Sequence, residues 1–355
     1  MRGFGCTVPG KSVGWIEKPI PEPGPADALL RPIVLAPCTS DVHSAYMSTP
    51  PKFMQNRILG HEGIGEVVSV GSEVRDFKVG DLVVVPAVTP DWRKPYVQEK
   101  YHQHTQYATA SFRFAFTMDG LFSEYFVLPD IDMNGAHLPA GMSCEAAVMA
   151  CDMMTTGFHG AELAEIGFGE SVAILGIGPV GLMAVAGAVL HGAGRIFVVG
   201  TRPNCVKIAK EYGATDVISY KEGDIAAQIL ACTHKIGVDK VIIAGGDMDT
   251  FAAAIKMVRP GGIVANICNF SEGDYLPIPR LAWGTGLAHK RITGGLCPGG
   301  RRRMEKMLDI IQYKRVDPSL LVTHRFEGLD GVEEAFALME KKPADLIKPI
   351  IKFSY

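Results

Sequence analysis

The chain has 355 residues, carries 35 Lys+Arg against 38 Asp+Glu, and is 47% hydrophobic. That length suggests about two domains and supports a full hydrophobic core without disulfide or metal staples. The near-neutral balance argues against nucleic acid as a partner, and the hydrophobic content argues against disorder.

Glycine is over-represented, with 40 residues, where ordinary usage of about 7% would give roughly 25. Such an excess points to backbone that turns at positive φ or approaches a ligand closely. The eight cysteines are scattered and form no CxxC pair. That pattern reads as a reduced, cytoplasmic protein rather than a disulfide scaffold. The opening residues lack the apolar core of a signal peptide.

In chain order, residues 64–70 and 82–85 are apolar runs bounded by glycine turns, which predicts strands. Residues 89–119 are polar and aromatic and predict a long loop of functional or oligomeric use. From residue 156 the pattern changes. Short apolar runs at 171–176, 195–200, 216–220, 238–246 and 263–268 alternate with helical stretches. This alternation predicts an α/β unit with a doubly wound parallel sheet. Residues 171–190 carry no charge and are long enough to span a bilayer. Gly176, Gly178, Pro179 and Gly181 interrupt them, so a buried strand–turn–helix is the better reading and no membrane partner is expected. Helices are predicted over 301–313 and 331–340, with a last strand near the end. The predicted division is 1–155 with 297–355 as one domain and 156–296 as the other.

Gly176-Ile177-Gly178-Pro179-Val180-Gly181 fits G-x-G-x-x-G directly after a strand and at the start of a helix. In that context the turn binds the pyrophosphate of a dinucleotide at a helix N-terminus. An NAD site usually places Asp or Glu at the end of the second strand. Here that strand ends in Gly200-Thr201-Arg202. Glycine leaves room for a 2′-phosphate, Thr201 can hydrogen-bond it, and Arg202 offers a charge-assisted contact. Tyr220, after the third strand, can complete the pocket. NADP is therefore favoured over NAD.

The N-terminal part holds Pro37-Cys38-Thr39-Ser40-Asp41-Val42-His43 and Gly60-His61-Glu62-Gly63, and later Cys151-Asp152. Cysteine, histidine and carboxylate are standard zinc ligands, and three of them leave a catalytic position open. Spacing alone does not select them.

The pattern GHExxG, together with PCTSDVH, GDxVxxP at 80–86 and LGIGPVG, resembles the medium-chain zinc alcohol dehydrogenase superfamily. PAVTPDWR, DMMTTGFHGAEL, GGLCPGGR, YKRVDPS and KPADLIKPII narrow the resemblance to its microbial NADP-dependent secondary alcohol dehydrogenases. It covers essentially the whole chain. It implies a mainly-β GroES-like catalytic domain interrupted by a Rossmann domain. It implies zinc held by Cys38, His61 and Asp152, with Glu62 as an additional or exchangeable ligand. Asp152, not Cys151, keeps the family's spacing to the Thr156-Gly157 pair. Asp152 also makes the site harder, so cobalt or manganese would substitute more readily. The cysteine-free loop 89–119 lacks the cage of a structural zinc, so one catalytic zinc is expected.

The resemblance further implies hydride transfer between NADP(H) and secondary alcohols or ketones. Zinc acts as a Lewis acid that stabilises the alkoxide, and Ser40 and His43 relay the proton. Cofactor contacts are implied at Ile177 to Val180, Gly200 to Arg202, Tyr220, Ile267, Cys268, Asn269 and Lys342. The substrate pocket is implied at Ser40, Ala87, Phe112, Asn269 and Leu296. Phe112 stands where relatives carry tryptophan, and Asn269 where they carry tyrosine, which predicts a wider pocket. A homotetramer is expected, with residues 283–289 near a neighbouring site. Two rivals are a zinc-independent quinone or enone reductase of the same superfamily and a non-catalytic NADPH-binding protein. The ligand set opposes the first, and the relay pair opposes the second.

Overall fold

The computed structural model describes residues 1–99, 101–105, 108–270 and 274–355. The chain divides into two units, Met1–Thr155 with Pro298–Tyr355, and Thr156–Cys297. Cys297 thus falls with the second unit, one residue beyond the boundary read from the sequence.

The first unit is built on strands. A seven-stranded sheet runs in the order Val322–Glu327, Lys348–Lys352, Ala28–Leu35, Gly63–Val70, Leu82–Val85 and Ala136–His137, with Phe126–Leu128 pairing to Ala28–Leu35 off this path. A smaller sheet joins Ser12–Glu17, Arg2–Val8 and Arg57–Ile58. Phe4, Leu30, Leu35, Ile58, Phe122, Phe336 and Ile351 meet in its core. Each such side chain contributes about 1.5–3 kcal/mol by leaving water. The segment 89–119 is less open than a plain loop, since it contains the short helix Pro95–Glu99.

The second unit is a six-stranded sheet in the order Asp216–Ile218, Arg195–Val199, Ser171–Leu175, Val238–Ile243, Val258–Asn266 and Arg291–Gly294. Every pairing is parallel. The middle strands are buried along nearly their whole length, as strands covered on both faces must be. Prolines open the helices Pro179–Leu190 and Pro203–Glu211, where a missing N–H costs nothing. The first strand, Ser171–Leu175, lies between the second and the fourth, so the chain reverses its winding there. Ligands of such sheets bind at the C-terminal ends of the strands beside that reversal. Residues Ile267 and Cys268 lie past the end of their strand rather than within it.

Candidate active site

The pairing of Leu35 with Gly63 sets the first unit's site. It places Cys38, just beyond one strand, beside His61 and Glu62, just before the other. Cys38 leads into the helix Thr39–Ala45. The third contributor comes from a different kind of element. Asp152 lies in the π-helical turn Ala150–Met154, and such widened turns recur at functional sites. The turn is anchored by the Ala87 N–H, which donates to the Cys151 carbonyl at 3.0 Å.

One candidate ligand atom from each of Cys38, His61, Glu62 and Asp152 lies within 4.8 Å of the others. Cys38 Sγ is 3.8 Å from Asp152 Oδ2. His61 Nε2 is 3.6 Å from Asp152 Oδ2 and 3.7 Å from Glu62 Oε1. Both His61 and Glu62 are buried, and Glu62 Oε2 has no hydrogen-bond partner. A buried carboxylate oxygen left in that state calls for a cation. The donor set of thiolate, imidazole and carboxylate suits zinc. Cys151 is turned away. Its thiol lies 3.4 Å from the Gly63 carbonyl, and burial pushes its pKa well up, which keeps it protonated.

Asp41 is a functional residue that the sequence reading left without a role. Its carboxylate accepts the Cys38 N–H at 2.8 Å, the Gly60 N–H at 3.1 Å and His61 Nδ1 at 3.0 Å. It therefore ties two ligand segments together and leaves Nε2 of His61 facing the other ligands. Burial works against a charged His61, but Asp41, Asp152 and Cys38 outweigh it and raise its pKa well above the ordinary value. Gly60 is required beside it. Its φ is +91°, and a Cβ there would lie 2.3 Å from the Phe122 ring. The available signal for Asp41 was its place three residues after the helix cap, the capping-box position. Outer-shell partners of this kind are worth about 10–100-fold in metal affinity. Asp41→Asn is expected to weaken metal binding by that factor, measured by competition with a chromophoric chelator.

Ser40 and His43 sit one turn apart on the helix Thr39–Ala45, and Ser40 Oγ is 3.3 Å from His61 Nε2. The Phe112 ring packs edge-on to the His61 ring, with centroids 4.9 Å apart. Lys342 also belongs to this unit and lies just after the helix Gly331–Lys341. Its charge acts on His43: burial first, and then Lys342, lower the His43 pKa. Asn269 and Leu296 belong to the second unit.

In the second unit, Gly176 has φ +89° and makes the turn out of the first strand. A Cβ on Gly178 would meet only Arg202 Nη2, at 3.9 Å, so the backbone is open there and the guanidinium lies beside it. A Cβ on Gly181 would lie 1.8 Å from the Gly176 carbonyl, which only glycine permits. Thr201 Oγ1 donates to Tyr220 Oη at 2.8 Å, joining the ends of the second and third strands. A Cβ on Gly200 would lie 2.2 Å from Ile177 Cγ1, so any larger residue there requires the Ile177 side chain to shift. Beyond the fifth strand, Asn266 bonds to both the N–H and the carbonyl of Cys268, fixing the turn that carries Ile267 to Asn269.

Two family models match this chain. An alcohol dehydrogenase GroES-like domain covers residues 24–138, and a zinc-binding dehydrogenase covers residues 179–312. The NADP-dependent isopropanol dehydrogenase of Thermoanaerobacter brockii is 60% identical over 351 residues, 99% of both chains. The chain belongs to the zinc-binding alcohol dehydrogenase family. The protein of the same name from Entamoeba histolytica is 54% identical over 355 residues, covering 100% of this alcohol dehydrogenase and 96% of the relative. Among solved structures, the apo zinc-dependent alcohol dehydrogenase 2 from Streptococcus pneumonia superposes on this family member with a TM-score of 0.88 at 27% identity, covering 100% and 99% of the two chains.

Proposed function

We propose that this chain is a zinc-dependent, NADP(H)-linked secondary alcohol dehydrogenase that interconverts secondary alcohols and ketones. The observation that carries the proposal is the convergence of Cys38, Asp152 and the buried His61 and Glu62 on one point, in a chain 60% identical to an NADP-dependent isopropanol dehydrogenase. When bound there, zinc supplies Lewis acidity, and NADP accepts or returns the hydride. Cys38, His61 and Asp152 are the holding ligands, and Glu62 is the exchangeable one.

The protein's own groups handle orientation and the proton. Asp41 fixes the His61 ring. Ser40, next to the ligand cluster, takes the hydroxyl proton and His43 passes it outward. Phe112 forms a wall beside the cluster, with Ala87 on the strand-end segment that anchors Asp152. The glycine turn holds pyrophosphate, Arg202, Thr201 and Tyr220 hold the 2′-phosphate, and Lys342 adds positive charge. With phenylalanine at 112 and asparagine at 269, the pocket admits bulkier ketones as well as acetone-sized ones. Activity on 2-propanol with none on aryl or longer ketones would refute that width.

The deciding experiment is a panel of alcohols and ketones with NADPH and NADH, before and after chelation. Chelator-sensitive, NADPH-preferring turnover of secondary alcohols is expected. Activity indifferent to chelation would instead mark a zinc-independent reductase. Tight NADPH binding without turnover would mark a non-catalytic binder. The same chelation should release one catalytic zinc per chain and no structural zinc.

The relay has its own pH signature. It needs neutral His43 in the oxidation direction, and the lowered pKa keeps His43 neutral further into acid. Lys342→Met removes one cause of that lowering. The acid limb of the oxidation-direction pH–rate profile is expected to move to higher pH.

We also place the chain in a cytoplasmic homotetramer. None of the eight cysteines forms a disulfide, and no helix among the described residues is long and apolar enough to cross a membrane. Among the described residues, strand Arg291–Gly294 is an edge of the six-stranded sheet. Around it in sequence, Tyr275, Leu281 and Leu287 are 86%, 76% and 79% exposed. An exposed strand edge with apolar neighbours is a template for pairing with another chain. Sedimentation at a monomer mass would overturn this assignment.

A further inference from the structure

Lys348 opens the strand Lys348–Lys352 and is fully buried. Its ammonium donates to Glu62 Oε1 at 2.6 Å, and neither side chain reaches solvent. A buried lysine is rare unless it is paired. Glu62 is thus divided between two demands. Oε1 accepts from Lys348 and also lies 3.7 Å from His61 Nε2, and Oε2 has no hydrogen-bond partner.

The charges explain why the pair is present. A Cys38 thiolate, Asp41, Glu62 and Asp152 gather four negative charges around the site, and zinc brings two positive ones. Lys348 supplies the third. Without it, the fully buried Glu62 carboxylate would lose its paired cation, which is strongly unfavourable. The same arithmetic gives Lys348 leverage over coordination. A metal ion and an ammonium compete for one carboxylate, and the carboxylate goes where the balance favours it.

We propose that Lys348 is a positioning residue that holds Glu62 in reserve, charged and beside the metal but outside its permanent ligand set. This rests on the zinc assignment above. With Lys348 removed, the Glu62 carboxylate has one cation left to satisfy it, and it becomes a fixed fourth ligand. A site with four protein ligands is closed, like a structural zinc site, and has no position left for an exogenous ligand.

The test uses the full-length protein loaded with zinc or with cobalt(II), in wild type and in Lys348→Met, Lys348→Arg, Glu62→Gln and the Glu62→Gln/Lys348→Met double variant. Lys348→Met is expected to release zinc to a chelator at least about tenfold more slowly than wild type, the scale of outer-shell effects on metal affinity. Its cobalt d–d bands are expected to shift and to stop responding to added imidazole. Lys348→Arg should restore the wild-type response. The double variant, which removes both charges together, should match Glu62→Gln in release rate and spectrum.

Release from Lys348→Met as fast as from Glu62→Gln, or cobalt bands that still answer to imidazole, would overturn the proposal. If Lys348→Met does not fold, the comparison of the double variant with Glu62→Gln decides. Any difference between those two shows that Lys348 acts through something other than Glu62. Failure of the wild-type protein to bind either metal would instead remove the zinc assignment itself.

Discussion

His61→Ala, or complete chelation of the wild-type protein, is expected to lower kcat/KM for 2-propanol by at least about 10³-fold. The reason is that an alcohol hydroxyl keeps its proton at neutral pH and is then a poor hydride donor. Lewis-acid stabilisation of the deprotonated form is worth several kcal/mol, and about 1.4 kcal/mol is a factor of ten in rate. His61 is the ligand on which the most geometry converges. It meets Asp41 through Nδ1, and Asp152, Glu62 and Ser40 through Nε2. Two readouts separate loss of metal from loss of fold. Metal content should fall with activity, while the far-ultraviolet circular dichroism should stay near that of wild type. Full activity in a metal-free His61→Ala preparation would contradict the proposed chemistry outright.

Arg202→Ala should raise KM for NADPH by about tenfold to a hundredfold and leave KM for NADH nearly unchanged. A hydrogen bond to a charged group contributes about 1.5–3 kcal/mol, which spans that range at 1.4 kcal/mol per decade. The guanidinium lies beside the open backbone of Gly178, and Thr201 and Tyr220 are already joined next to it. Equal losses with both cofactors would show that Arg202 supports the turn rather than reading the 2′-phosphate. Converting Gly200 to aspartate to recruit NADH would require the Ile177 side chain to move, because the new Cβ would lie 2.2 Å from Ile177 Cγ1.

What could be read from the sequence follows the range of the interactions. The parallel sheet was legible because each buried strand writes a short apolar run, and each connection writes a helix. The glycine turn was legible because its three constraints fall within six residues. The metal ligands were not legible from spacing alone, since the cluster draws on residues more than a hundred positions apart. The family resemblance gave the register that singled out Asp152, and the π-helical turn is the physical form of that register. Lys348 left no local trace. A lysine in a strand near the end of a chain reads as solvated, and its burial depends on a partner 286 positions away. The contact between Gly200 and Ile177 is likewise a neighbour in space that no local pattern names.

The turn at Ala150–Met154 has a consequence for how such sites diversify. Regular α-helix spacing fixes which way every residue faces once one of them is placed. In the π-helical turn the Cys151 thiol lies against the Gly63 carbonyl, while the Asp152 carboxylate faces His61 and Cys38. Position 152 thus supplies the donor, and its side chain sets the donor's chemistry. A carboxylate there gives a harder site and a thiolate a softer one. On the proposed ligand set, Asp152→Cys is therefore expected to move the metal preference toward softer ions.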